Sequence, residues 1–356
     1  ADYARTWSTN NVIIDSNGNN FQGDPDTYTV DYSTAGQSLN IVYSDATKGW
    51  LPVSDDAVAD AGVAPPTQRA IFGFGRTGGG VVSMTNLVNS SGVIGNDVTG
   101  VGTARGTLAG AGYGGDKAIF GYGYVTWITG LSMTNLVSNS GVVSADVSGV
   151  GTGRAAPGAC SYGFNKAIFA YGYTGSYVSL SNLVSSSGVV SADVTGVGTA
   201  RSDLAATGYG STGQGIFAYG TTGSKVSMSN LVSNTGVIAS DVSGVGTARS
   251  TPGAATYGGD KAIFAYGNPP GATTAVSNLV SNTGVIASDV GGVGTARSGL
   301  AAASYGNDKA IFGYGYTSSA VAMSNLVNNS GVVAADVSGV GTARYEISAA
   351  GYSFSA

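Results

Sequence analysis

The chain has 356 residues, of which 59 are Gly and only 10% are charged, with a net charge of −5 and no His. Without His there can be no Ser–His–Asp or Cys–His catalytic arrangement and no His-containing metal cluster. The acidic balance is poor footing for nucleic acid, where basic patches supply most of the affinity. The single cysteine, Cys160, excludes an internal disulfide framework and, at an Ala position, reads as a small buried side chain.

Residues 1–58 read as a small β module, in which alternating segments such as Asn11–Asp15 and Ser38–Tyr43 are separated by turn residues. Asp15-Ser-Asn-Gly-Asn-Asn20 has the composition of a hairpin turn. The alternation of Asp15, Asn17 and Asn19 also suggests a calcium loop, but the Gly falls too early for one and no Glu closes it. The opening Ala1 is compatible with a processed chain or a fragment, and no apolar run reaches the ~18 residues of a membrane-spanning helix. Residues 59–68, with Pro65-Pro66, read as a linker.

From Arg69 onward a repeat dominates. Ile-Phe-Gly-Tyr-Gly, with small changes, begins at Ile71, Ile119, Ile168, Ile216, Ile263 and Ile311. A period in the range of ~20–50 residues signals a solenoid, a propeller or an array. Each unit carries four apolar segments, of the types Leu-Ala-Ala-x-Gly-Tyr, Lys-Ala-Ile-Phe-Gly-Tyr-Gly, Val-Ser-Met-Ser-Asn-Leu-Val and Gly-Val-Val-Ser-Ala-Asp-Val, and none has helical period. Four short strands in ~40–50 residues match a propeller blade. A β-solenoid is the rival architecture, with shorter coils and capped ends. The repeat opens on a second segment, Arg69–Gly75, and finishes on a first, Arg344–Ser353, so the C-terminal strand supplies what the first blade lacks. The expected fold is all-β: a six-bladed β-propeller over 69–356, four strands per blade, closed by the C-terminal strand and preceded by the small β module. The first strand, rich in Ala and Gly, is expected innermost, where backbones crowd around the axis.

Six Asp and six Arg recur once per unit: Asp97, Asp146, Asp193, Asp241, Asp289 and Asp336, followed eight residues later by Arg105, Arg154, Arg201, Arg249, Arg297 and Arg344. Sixfold repetition suits scaffold, and each Asp–Arg pair is expected to strut one blade to the next. The Asn that opens each Asn-Leu-Val segment is expected to satisfy turn backbone. Lys117, Lys166, Lys261 and Lys309 recur at a strand end, where charge discourages edge pairing. The segment after the second strand is the least repetitive. It contributes the binding candidates Arg76, Tyr124, Trp127, Ile128, Tyr173 and Tyr177, since exposed aromatics on loops of a rigid scaffold suit sugar stacking or a protein contact. No metal ligand set, cofactor motif or catalytic constellation stands out. From residue 69 onward most acids belong to the repeated Asp set; the others are Asp116, Asp203, Asp260 and Asp308 at loop positions and Glu346, the only Glu of the chain.

Two resemblances have residues behind them. In strand order the repeat resembles kelch-like propellers, with Thr-Ala-Arg-Ser-x-Leu-Ala-Ala at the inner strand and Ala-Ile-Phe-Gly-Tyr-Gly at the strand that there ends in a Gly doublet; the doublet and the kelch Trp are lacking here. Residues 1–51 are similar to a module of tailed-phage virion proteins, through Ala1–Val12, Asn17–Gly23 and above all Asp45-Ala-Thr-Lys-Gly-Trp50. The Asn-Leu-Val…Gly-Val-Gly-Thr-Ala-Arg repeats are similar to those of phage tail and fibre proteins. The resemblance implies a structural, adhesive protein on the virion surface. Its partners would be other virion proteins and a host-surface glycan or protein, with no nucleic acid, no membrane insertion, no enzymatic role and room for a homo-oligomer. A secreted lectin-like propeller is the alternative, and a polysaccharide-degrading enzyme a more distant one.

Overall fold

The computed structural model describes residues 2, 4–23, 30–54, 69–126 and 130–352, and every regular element among them is a β-strand. The chain divides into two compact units, residues 1–63 and 64–356. The linker expected at 59–68 lies outside the described residues.

In the first unit Val12–Ile14 pairs antiparallel with Val30–Tyr32, and Asn40–Asp45 with Gly49–Ser54. Asp15–Asn20 does turn the chain, with Asp15 Oδ1 accepting the Asn17 amide at 2.9 Å. It is not a tight hairpin, because the strand before it pairs only from Val30 onward. The second hairpin is closed by Asp45, whose Oδ1 takes the amides of Thr47 and Lys48, both at 2.8 Å.

Among its described residues the second unit contains six three-stranded antiparallel sheets, each ordered first–second–third. The first strands are Ala109–Tyr113, Gly158–Tyr162, Ala205–Tyr209, Gly253–Tyr257, Ala301–Tyr305 and Ser348–Tyr352. The last of these pairs with Arg69–Gly73, from Ser348 opposite Gly73 to Tyr352 opposite Arg69, so one sheet is assembled from both ends of the unit. Each first strand lies against the first strands of the preceding and following sheets, and Ser348–Tyr352 lies against both Ala301–Tyr305 and Ala109–Tyr113. Ala, Gly, Ser and Thr on these strands permit that approach. The second strands are central in each sheet and apolar on both faces, with Ile71, Phe72, Ile119, Phe120 and their counterparts fully buried.

The expected fourth strand is not a strand among the described residues. The Gly-Val-Val-x-x-Asp-Val segment meets the third strand at two isolated positions, Val137 with Val143 and Thr134 with Val147 in one sheet. Between them the Asn of the third strand replaces the ladder. Asn135 Nδ2 donates to Ser144 O at 3.0 Å and to Asp146 Oδ1 at 2.9 Å, and the other five units repeat this. A side chain that takes the backbone carbonyl leaves no regular pairing to extend.

The Asp–Arg spacing also resolves differently from the expected strut. Arg105 does not meet Asp97; it approaches Asp146 at 3.7 Å, as Arg297 approaches Asp336 at 3.9 Å and Arg344 approaches Asp97 at 3.5 Å. Each Arg precedes the first strand of the sheet whose fourth segment carries its Asp, so the pair closes one sheet on itself. The seven residues between Asp97 and Arg105 instead carry the chain across to the next sheet, where Thr103 docks through its amide and hydroxyl on Asp146. Burial would raise the Asp146 carboxyl, but bonds from Thr103 and Asn135 and the charge of Arg105 outweigh it and hold it below the ordinary range. Gly102, at φ +78°, makes this crossing possible: a Cβ there would sit 2.5 Å from both Asn135 Nδ2 and Asp146 Oδ1.

What joins neighbouring sheets is aromatic. Each repeat Arg has no exposed surface, and its guanidinium lies on the ring of the preceding sheet's aromatic-Gly turn, as Arg154 on Tyr122 at 4.1 Å and Arg344 on Tyr314 at 4.6 Å. The same ring meets the following sheet's second-strand Phe edge-on or tilted, from Phe120 on Phe74 at 5.5 Å round to Phe72 on Tyr314 at 5.2 Å. All six turn aromatics are buried and left-handed, with φ of 63–65°.

Candidate functional site

Two residues after each repeat Arg the backbone turns left-handed. Thr107, Ala156, Asp203, Thr251, Gly299 and Glu346 have φ between 47° and 60°. Five of the six are not Gly, and each such residue stores of order 1 kcal/mol or more. The strain is held by a circle of amide bonds. Ala156 N–H donates to Thr107 O at 2.9 Å, Asp203 to Ala156 at 3.2 Å, Thr251 to Asp203 at 2.7 Å, Gly299 to Thr251 at 3.3 Å and Glu346 to Gly299 at 2.8 Å. Thr107 N–H donates to Glu346 O at 3.0 Å and returns the series to its start.

The residue before each of these pairs with the residue just after an aromatic-Gly turn: Gly106 with Tyr124, Ala155 with Tyr173, Ser202 with Thr221, Ser250 with Asn268, Ser298 with Tyr316 and Tyr345 with Arg76. The divergent segments and the amide circle therefore share one end of the sheets. The Lys-bearing turns between first and second strands lie at the opposite strand ends, where Lys117, Lys261 and Lys309 pair with the preceding Asp at 2.7, 3.3 and 3.1 Å.

The circle is sixfold in backbone and unequal in side chains. Asp203 and Glu346 stand three positions apart on it, on opposite sides. Beside them opens a pocket of about 280 Å³ lined by Asp203, Lys225, Ser250, Thr251, Asn268, Ser298, Gly299, Tyr316, Tyr345 and Glu346. Tyr316 and Tyr345 stack tilted, centroids 4.9 Å apart. Lys225 Nζ donates to Ser250 Oγ at 2.7 Å, and Ser202 Oγ to Asp203 Oδ2 at 2.7 Å. On the other side of Glu346, Tyr124 Oη donates to Oε2 at 2.5 Å. The Tyr124 hydroxyl, and behind it Glu346, hold the Arg76 guanidinium firmly protonated.

Both pocket carboxyls titrate high. Burial raises Glu346, opposed by the Tyr124 hydroxyl and Arg76 and reinforced by Asp203. Burial raises Asp203, opposed by Ser202 and Lys225. A carboxyl whose folded pKa exceeds its unfolded value lowers stability as pH rises from the unfolded value through the folded one, and above that the loss is complete. Glu346→Gln keeps an acceptor for Tyr124 and removes the charge. It is expected to raise the melting temperature at about pH 8 and to leave it unchanged at about pH 3, where both states are protonated. Thermal melts at the two pH values check this, and a lower midpoint at the higher pH contradicts it.

Of the loop candidates, Arg76 and Tyr124 belong to this site, but Tyr124 is only 1% exposed and is no surface aromatic. Opposite it stands Gly106, where a Cβ would come 3.1 Å from Glu346 Oε2, so the small residue leaves room for the carboxylate that Tyr124 binds. Tyr173 is 41% exposed, with Tyr177 edge-on at 5.3 Å, beside the pocket's end of the sheets. Trp127 and Ile128 lie outside the described residues. Sequence reasoning misses Lys225, Asn268, Tyr316 and Tyr345 as binding residues; Lys225, Asn268 and Tyr345 depart from the repeat, whereas Tyr316 shares its position with Tyr124 and Tyr173. Cys160 is buried, and burial pushes its thiol up, away from reactivity. Among the described residues no three His, Cys, Asp or Glu side chains gather as metal ligands. The chain matches no family model and no curated protein.

Proposed function

We propose that residues 69–356 are a closed six-bladed β-propeller, and that the chain is a non-catalytic adhesive protein of a tailed-phage-type virion surface, contacting a host-surface glycan or protein. Closure is supported by the first strands, whose neighbours run in series back to the first, by the circle of six amide bonds and by the aromatic pairs that end with Phe72 on Tyr314. A ring leaves no open sheet edge at the joins between its ends. The virion setting rests on the similarity of residues 1–51 and of the repeats to phage tail and fibre proteins. In this reading the first unit joins the protein to other virion components.

The observation that carries a binding role is the placement of asymmetry. Side chains that differ between the units (Arg76, Tyr124, Tyr173, Tyr177, Asp203, Lys225, Tyr345 and Glu346) collect at one end of the sheets, around the amide circle and the pocket; the opposite turns also vary, at Phe164–Asn165 and Ser211–Gln214. A rigid scaffold whose differing side chains gather about one pocket is the arrangement of a recognition surface.

The purified chain is expected to bind host cells or their envelope polysaccharide. Tyr173→Ala combined with Tyr177→Ala is expected to weaken that binding about tenfold, as the loss of an aromatic anchor does. Sedimentation or surface-plasmon measurements on cells and extracted polysaccharide check it. Unchanged binding removes the tyrosine pair from the surface; no binding by the parent chain overturns the adhesive reading. Release of reducing ends, abolished by Glu346→Gln, would replace it with hydrolysis.

A further inference from the structure

Resting on the adhesive reading and sharpening it, we infer that the pocket beside the amide circle holds a single neutral pyranose unit of a polysaccharide, with Asp203 and Glu346 accepting its hydroxyls and Tyr345 flanking its apolar face.

Size is the first constraint. Pockets for drug-sized ligands run to ~300–1,000 Å³, and about 280 Å³ accommodates one sugar ring rather than a run of several. Charge is the second. Glu346 faces the Arg76 guanidinium across Tyr124, and Asp203 faces Lys225. Two acidic and two basic groups offset one another there, so no negative excess stands ready for a metal ion or an amine. An anionic ring would also meet two carboxylates at contact.

Chemistry is the third. A sugar hydroxyl donates and accepts at once, and vicinal hydroxyls need acceptors and donors side by side. The pocket offers both: carboxyls at Asp203 and Glu346, the ammonium of Lys225, the amide of Asn268 and the hydroxyl of Ser298. Charged acceptors make the stronger bonds to hydroxyls. The tilted Tyr316–Tyr345 pair supplies the ring surface against which the C–H face of a pyranose packs.

Preorganisation is the fourth. The carboxylates stand on backbone fixed by the amide circle, and Tyr124 and Ser202 already orient them. Little freedom remains to be lost on binding. Raised carboxyl pKa values, which cost the empty fold stability, accord with groups kept for a ligand rather than for the scaffold.

The test titrates the full chain with methyl glycosides of neutral hexoses, with glucuronic acid and with calcium chloride, by ligand-observed NMR and calorimetry. At least one neutral glycoside is expected to bind with Kd of about 1 mM, the range open to so small a ligand. Asp203→Asn and Tyr345→Ala are each expected to weaken it tenfold or more, as is Glu346→Gln, for which the thermal melt described above checks that the variant is folded. Tighter binding of glucuronate, or a calcium requirement, overturns the neutral-sugar assignment. Host-cell binding that persists in all three variants, with no glycoside bound by the parent, overturns the pocket assignment while leaving adhesion in place. Glycoside binding without any host-cell binding supports the pocket and overturns adhesion.

Discussion

Deleting residues 345–356 is expected to abolish the cooperative melting of the second unit. The deletion removes Ser348–Tyr352, the strand that covers Arg69–Gly73 over five consecutive pairs. Ala70, Ile71 and Phe72, all fully buried, would then form an open edge. Ile347, which packs against Gly75, and Tyr352, whose ring lies against Gly141 of the next sheet, would go with it. So would Glu346, which both donates and accepts in the amide circle. Each large apolar side chain taken from its burial costs roughly 1.5–3 kcal/mol. Four of them approach the whole stability of an ordinary domain, ~5–15 kcal/mol. Calorimetry or circular dichroism on the shortened chain checks this. A transition within about 2 °C of the parent would mean that the last strand contributes little and that the sheets stand independently.

Arg201→Ala is expected to destabilise the second unit by about 3–5 kcal/mol, the range found when one member of a buried charged network is removed. The side chain has no exposed surface. Its Nε donates to Tyr219 O at 3.0 Å, Nη1 to Thr199 O at 3.1 Å and Nη2 to Asn230 Oδ1 at 2.7 Å, while the guanidinium plane lies 4.2 Å from the Tyr171 ring centroid. Alanine would leave the buried Tyr219 carbonyl and the buried Asn230 amide oxygen without this donor, free the half-buried Thr199 carbonyl and open a gap between two sheets. Lysine is expected to recover little, since a single ammonium cannot span three acceptors and stack on the ring. Midpoints in guanidinium chloride with unchanged slope would measure the loss. A cost under about 1 kcal/mol would assign the coupling of sheets to the aromatic pairs alone.

Much of the architecture was legible because it repeats. Ala-Ile-Phe-Gly announced a buried central strand, Ala- and Gly-rich Leu-Ala-Ala a strand that its neighbours approach closely, and the odd segments at Arg69 and Arg344 a sheet shared between two distant stretches. The fourth segment was misread because Gly-Val-Val-x-x-Asp-Val has the alternation of a strand, with Val142 exposed and Val143 buried. Only the Asn135 side chain, reaching its carbonyl from another strand, cancels the pairing. The Asp–Arg partnership was misread because proximity in sequence stood in for proximity in space; Gly102 and its equivalents carry the chain away just where the two charges were expected to meet. Of the site, the loop positions were visible as divergence, but direction was not. Nothing local says that Tyr124 turns inward to Glu346, because that contact spans most of the unit. The left-handed circle was also hidden, since Thr, Ala, Asp and Glu occupy it and only Gly299 carries the usual signature.

The pairing of Arg69–Gly73 with Ser348–Tyr352 has a consequence for biosynthesis. The first strand of the second unit to leave the ribosome waits for the last one made. At ~5–20 residues per second the interval is roughly 15–60 s, during which an Ala-Ile-Phe-Gly edge is unprotected. Five near-identical first strands emerge meanwhile, each able to engage that edge in the same register. Fidelity of closure then depends on how quickly those five are captured by their own hairpin partners, which follow within a few residues. A nascent chain stalled before residue 348 is the species from which strand-exchanged assemblies would grow.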